Sequence, residues 1–157
     1  MRAIPILFLL LAACSGSAAP EPAAAIEAYT PESLDPNDDR LDDLTITVSY
    51  DDGDGDLGGG VATITDCRAA DIATVLELPP IASDEGVEAG VHITGTLDLV
   101  VADVDDLTAS GTPPICGELG APALAPGQVA FCVVLTDAGG VTGPGDCTAA
   151  IPIAAAL

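Results

Sequence analysis

The clearest pattern along the chain is a strict alternation of apolar and hydroxyl-bearing residues over 44–50. The apolar positions are Leu44, Ile46, Val48 and Tyr50, and the positions between them are Thr45, Thr47 and Ser49. Because successive side chains of a β-strand point to opposite faces, this period of two predicts a strand with one buried face. The acidic, glycine-rich loop 51–60 follows, and we expect 61–66 to form the partner of this strand.

Further short apolar segments are separated by turn-forming residues. We expect strands at 24–29, 91–99, 129–136 and 147–153. The segment 129–136 is apolar on both faces, as in a central strand. Residues 71–78 fit either a strand or a short helix that ends at Pro79. Short strands with turns between them predict an all-β fold, and specifically a β-sandwich.

The N-terminus has the layout of a secretion signal, since Arg2 is followed by an apolar run of about 11 residues. A membrane-spanning helix needs roughly 20 apolar residues, so this run is too short for a permanent anchor. It ends Leu11-Ala12-Ala13-Cys14, which resembles the lipobox of bacterial lipoproteins. The resemblance implies that residues 1–13 are removed and that Cys14 is lipid-modified. With Ser15 next, it also implies sorting to the outer membrane; the alternative is an ordinary signal peptide that contains a cysteine.

The rest of the chain is sufficient for one domain and is strongly acidic. Residues 14–23 are rich in Ala, Ser, Pro and Glu, so we expect a lipidated N-terminus with a flexible tether, and a domain over 24–157. The chain has 25 acidic side chains, no lysine and a formal net charge of −22. Such a charge repels nucleic acid and anionic head groups, and it favours cations. We therefore expect the membrane to be contacted through the lipid, and no nucleic-acid partner.

Four cysteines remain once Cys14 is set aside: Cys67, Cys116, Cys132 and Cys147. An even number in an exported chain predicts two disulfides, with three connectivities open. Each bridge stabilises a small domain by about 2–4 kcal/mol. No two of these cysteines have the Cys-x-x-Cys spacing of zinc or redox sites, so we favour structural bridges.

Two stretches carry a family resemblance. LTITVSYDDGDGDLG at 44–58 resembles the second strand and following loop of bacterial immunoglobulin-like domains, and VVLTDAGG at 133–140 resembles their penultimate strand and exit turn. The resemblance implies an immunoglobulin-like β-sandwich in which the loop and the turn lie at the same end. The chain has no tryptophan, and Ala130 stands where a tyrosine corner would place tyrosine. What is implied is therefore the architecture and not antibody-like recognition.

The candidate chemistry lies in the loop over 51–56, where Asp52, Asp54 and Asp56 occupy every second position. Calcium prefers several carboxylate oxygens at once, and a glycine-rich loop lets alternating carboxylates converge. The loop is not an EF-hand, because Leu57 stands at the sixth position, where glycine is required. In the immunoglobulin-like topology, Asp137 would add a further oxygen. The alternative is a solvated acidic turn, since Asp and Gly are common turn residues.

Catalytic chemistry has little support in the sequence. His92 is the single histidine and falls on the polar face of its expected strand. No nucleophile motif or phosphate loop is present. A glycan hydrolase that uses carboxylates alone is the remaining enzymatic alternative. We expect instead a non-catalytic binding or structural module of the bacterial envelope that contacts an envelope protein or polysaccharide, with a calcium-binding accessory domain as the alternative.

Overall fold

The computed structural model describes residues 21–35, 43–68, 73–81, 90–102, 104 and 115–154. Cys14, the signal over 1–13 and most of the expected tether lie outside these ranges. The strands of the described part are β1 (Ala23–Thr30), β2 (Leu44–Asp52), β3 (Val61–Asp66), β4 (Ala73–Glu77), β5 (Ile93–Val101), β6 (Gln128–Val129), β7 (Phe131–Thr136), β8 (Asp146–Cys147) and β9 (Ile151–Pro152). A short 3₁₀ helix, η1, spans Ile115–Leu119. Within the described ranges, no helix has the length and apolar character that a membrane crossing requires.

The strands form two antiparallel sheets that share one core. One sheet has the order β1-β2-β5 and the other β4-β3-β7-β8, and β6 pairs with β9 beside them. The inward side chains of both sheets belong to a single buried cluster, in which Phe131 is the largest fully buried side chain. The prediction of an all-β sandwich is therefore confirmed. The segment around 71–78 forms strand β4 and not a helix.

Strand β2 shows how the alternating pattern produces this packing. Leu44, Ile46 and Val48 are completely buried, whereas the hydroxyl-bearing residues between them are half-buried on the outer face. Burying a side chain of this size contributes about 1.5–3 kcal/mol. Every second residue of β2 therefore contributes to the core, as the period of two predicts.

The expected pairing of β2 with 61–66 is wrong. Strand β2 pairs with β1 on one edge and with β5 on the other, so neither edge is open to β3. Strand β3 lies in the opposite sheet, between β4 and β7. The loop 51–60 is therefore a connection between the two sheets and not a hairpin turn. The hydrophobic pattern specifies which face of a strand is buried, but it does not specify the neighbouring strand.

The last two expected strands are each divided. The segment 147–153 forms β8, which pairs with β7, and β9, which pairs with β6. The segment 129–136 is likewise divided at Ala130 into β6 and β7. Thr148 links the divided strands, because its N–H donates to the Phe131 carbonyl at 2.9 Å and its hydroxyl accepts the Phe131 N–H at 3.1 Å. The segment 147–153 therefore pairs first with β7 and then with β6, and the pattern of apolar and polar residues along the chain does not show such a change of partner.

Both disulfides lie at one end of the four-stranded sheet. Cys132 and Cys147 stand directly opposite each other on β7 and β8 and are bridged. Cys67, just after β3, is bridged to Cys116 in η1. The Sγ atoms of Cys67 and Cys132 are 3.4 Å apart, so the two bridges are in contact. The structure thus selects one of the three open connectivities, and neither bridge joins the two sheets.

Candidate functional site

The acidic loop 51–60 lies at the opposite end of the sandwich from the disulfides. It connects the last residue of β2, Asp52, to the first residue of β3, Val61. The turn that follows β7 packs against it, and the Ala138 N–H donates to the Asp56 carbonyl at 3.0 Å. The loop that joins the two sheets and the turn after β7 therefore meet at this end of the sandwich.

Three carboxylates of the loop converge. One oxygen from each of Asp52, Asp54 and Asp56 lies within 4.8 Å of the other two. Gly55, between the second and third, has φ of 75°, in the left-handed region that side-chain-bearing residues rarely adopt. This conformation reverses the chain locally, which allows alternating aspartates to face one another although an extended strand would space them apart.

The fourth predicted residue, Asp137, lies beside this group. Its Oδ1 atom and the Oδ2 atom of Asp56 both lie within 3.2 Å of the position that a Cβ atom on Gly139 would occupy. Asp137 directly follows β7, and its Oδ1 atom accepts the Val141 N–H at 2.8 Å. The structure therefore brings the three loop aspartates within 4.8 Å of one another and places Asp137, from the turn, next to the Asp56 side chain.

Two of these carboxylates are buried and two, those of Asp54 and Asp56, are partly exposed, and all four are only partly hydrogen-bonded. Asp52 is completely buried and Asp137 is 4% exposed. The Oδ2 atom of Asp52 accepts the Leu57 N–H at 2.8 Å, which fixes that side chain in the loop. Four buried oxygens have no hydrogen-bond partner among the described residues: Asp52 Oδ1, Asp54 Oδ1, Asp56 Oδ1 and Asp137 Oδ2. Buried polar atoms are nearly always paired, so this concentration in one place requires a physical cause.

The electrostatics of the site are unfavourable without a positive charge. Burial raises the pKa of the Asp52 carboxyl above its usual range, and the neighbouring Asp54 carboxylate raises it further. The Leu57 N–H opposes this effect only in part. Like charges held in a buried site either retain a proton or share a cation. The donor atoms are all carboxylate oxygens, which suit hard cations and not zinc or copper.

The single histidine forms a pair at the surface. His92 Nε2 and Asp51 Oδ1 are 2.7 Å apart, and both side chains are well exposed. Sequence reasoning placed His92 on the surface and missed this pair. Alternation along one strand could not reveal it, because Asp51 lies on a neighbouring strand.

A buried ion pair was also missed. Arg68 donates from Nε to both carboxylate oxygens of Asp66, at 2.9 Å each, and from Nη2 to Oδ2. Both side chains are buried next to Cys67, at the disulfide end of the sandwich. No sequence signal marks this pair. The pair belongs to the structural corner at Cys67 and not to the acidic cluster.

The fold and the site together define a disulfide-bridged, all-β sandwich with a buried carboxylate cluster where the two sheets connect. No protein-family model, no curated protein and no solved structure matches the chain.

Proposed function

We propose that this domain binds one calcium ion through Asp52, Asp54, Asp56 and Asp137. The observation that carries the proposal is a buried carboxylate oxygen without a hydrogen-bond partner in the described structure on each of these four aspartates. The three loop carboxylates lie within 4.8 Å of one another, and Asp137 lies next to Asp56. A solvated acidic turn would keep its carboxylates spread in water, and it would not bury one of them completely. A shared divalent cation satisfies these oxygens and removes their mutual repulsion.

The chemistry of the donors favours calcium over other common cations. Calcium takes six to eight oxygen ligands in a flexible arrangement, and aspartates in an irregular loop meet that requirement. Magnesium demands near-octahedral geometry and retains several waters, so a site with this many closely packed carboxylates suits it less well. Zinc prefers cysteine and histidine, and neither residue type contributes to the cluster.

For the cellular role, we propose a lipid-anchored module of the bacterial envelope, held in the outer membrane through Cys14. The support is the secretion-signal layout of residues 1–13, the resemblance of the Leu11–Cys14 segment to a lipobox, and the pair of disulfides. The module is non-catalytic and contacts another envelope protein or a polysaccharide. Calcium would then be a structural component that makes the contact surface rigid.

Thermal unfolding of the oxidised protein in EDTA, in calcium and in magnesium tests the cation site. Calcium at a hundred times its Kd stabilises the folded state by about 2.7 kcal/mol. For a domain of this size, that raises the Tm by about 10 °C. The rise should be absent from the double variant Asp54→Asn/Asp56→Asn and smaller with magnesium.

The matched control is Asp51→Asn, which makes the same charge change at the adjacent, exposed position. It should retain the full response to calcium. If wild-type protein shows no calcium-dependent rise, or if Asp51→Asn abolishes the rise as completely as the double variant does, the proposed site is wrong.

A further inference from the structure

We infer that calcium at this site acts as a clamp between the two sheets, so that calcium concentration regulates whether this end of the sandwich is closed. The inference rests on the proposed function and adds its consequence. Three of the carboxylates belong to the loop that leaves the three-stranded sheet at Asp52, and the fourth, Asp137, ends the central strand β7 of the four-stranded sheet. A cation that contacts Asp52 and Asp137 therefore binds both sheets at once.

The disulfides do not restrain the end of the sandwich that carries the aspartates. Both bridges lie within or next to the four-stranded sheet, at the start of β7 and the end of β3. They hold the far end of that sheet. At the end with the aspartates the described residues contain no disulfide, and the loop 51–60 is the chain connection between the two sheets. At that end, the hydrogen bond from Ala138 to the Asp56 carbonyl connects the turn to the loop directly.

Without a cation, the charges at this end oppose closure. The Asp56 and Asp137 carboxylates approach each other across the junction, since Oδ2 of Asp56 and Oδ1 of Asp137 lie 3.1 Å and 3.2 Å from the position that a Cβ atom on Gly139 would occupy. Their repulsion separates the turn from the loop. The loop also carries Leu57, which is completely buried in the shared core and whose N–H is held by Asp52. Opening at the aspartates therefore exposes an apolar core residue as well.

The clamp can be tested by residue-resolved amide hydrogen exchange on the oxidised protein, in EDTA and in calcium. Three amides report on separate places: Leu57 on the loop, Ala138 on the junction between sheets, and Cys67, bonded to the Ala130 carbonyl, on the disulfide end. At a hundred times Kd, calcium should slow exchange at Leu57 and Ala138 by about a hundredfold, because opening then requires release of the ion. Exchange at Cys67 should change far less.

The variant Asp137→Asn separates the clamp from simple binding. It keeps the three loop carboxylates, so calorimetry should still detect calcium, with weaker affinity. Calcium should still protect Leu57 in this variant but should no longer protect Ala138. Asp51→Asn, as the control, should behave like wild type at all three amides.

The possible failures are distinguishable. If calcium binds wild-type protein and protects Leu57 but leaves Ala138 unchanged, the site belongs to one sheet, and the clamp is overturned while the proposed function stands. Equal protection of Ala138 in wild type and Asp137→Asn also overturns the clamp. If calorimetry detects no calcium binding to wild-type protein, the proposed function itself fails.

Discussion

Replacing Asp54 with asparagine should change the stability of the protein in opposite directions with and without calcium. The Asp54 carboxylate lies within 4.8 Å of the Asp52 and Asp56 carboxylates. At an effective dielectric constant of about 20, each fully ionised pair at this distance repels by about 3 kcal/mol. Solvent screening of the partly exposed Asp54 and Asp56 side chains reduces this cost. We therefore expect Asp54→Asn to stabilise the metal-free protein by about 1–2 kcal/mol.

In saturating calcium, the sign should reverse. Asparagine keeps the shape and an oxygen but loses the ligand charge, and calcium affinity depends on the number of charged ligands. A hundredfold loss of affinity corresponds to about 2.7 kcal/mol. This exceeds the relief of repulsion, so the variant should be less stable than wild type by about 1 kcal/mol when both are saturated.

Urea unfolding of both proteins, followed in EDTA and in saturating calcium, measures the reversal. The Asp51→Asn control should differ from wild type by less than about 0.5 kcal/mol in either condition, as is usual for exposed positions. The reasoning is refuted if Asp54→Asn destabilises the metal-free protein, or if calcium leaves the difference between variant and wild type unchanged. Either result would mean that the buried carboxylates neither repel strongly nor share a cation.

The remaining predictions concern pH, the disulfides and the loop. Because the folded state raises the pKa of the Asp52 carboxyl, the metal-free protein should become more stable to urea as the pH falls from neutral towards about 3.9. The same measurement in saturating calcium should show no such increase in stability. Removing the Cys67–Cys116 bridge, which spans 49 positions, should cost about 4 kcal/mol in urea unfolding. Gly60→Ala should cost about 1–3 kcal/mol, because its Cβ would overlap the Thr136 carbonyl; unchanged thermal stability would contradict this packing.

The parts of the fold that followed from sequence are those governed by local patterns. Alternation over 44–50 predicts both the strand and its buried face, because the period of side chains along a strand is a local property. The spacing of Asp52, Asp54 and Asp56 likewise places alternating carboxylates in one short loop. The proximity of Asp137 came from a resemblance in topology, since nothing within the turn itself indicates the neighbouring loop.

What the sequence could not predict depends on contacts between distant segments. The pairing of β2 with β5 and not with β3 is set by the packing of two sheets, and the alternation of each strand fits either arrangement. Four cysteines without close spacing leave three connectivities, and only the alignment of β7 with β8 brings Cys132 opposite Cys147. The complete burial of Asp52 was also not predicted, because a loop of aspartates and glycines has the composition of a solvated turn.

The most direct test of the calcium site is a crystal structure of the oxidised protein grown in millimolar calcium, with the anomalous signal of the ion measured. We expect one peak at the junction of the sheets, about 2.3–2.6 Å from oxygens of Asp52, Asp54, Asp56 and Asp137. An occupied peak on the three loop aspartates alone would retain the site and remove the clamp. A crystal in calcium with no peak at these carboxylates, or with the loop opened into solvent, would contradict the account.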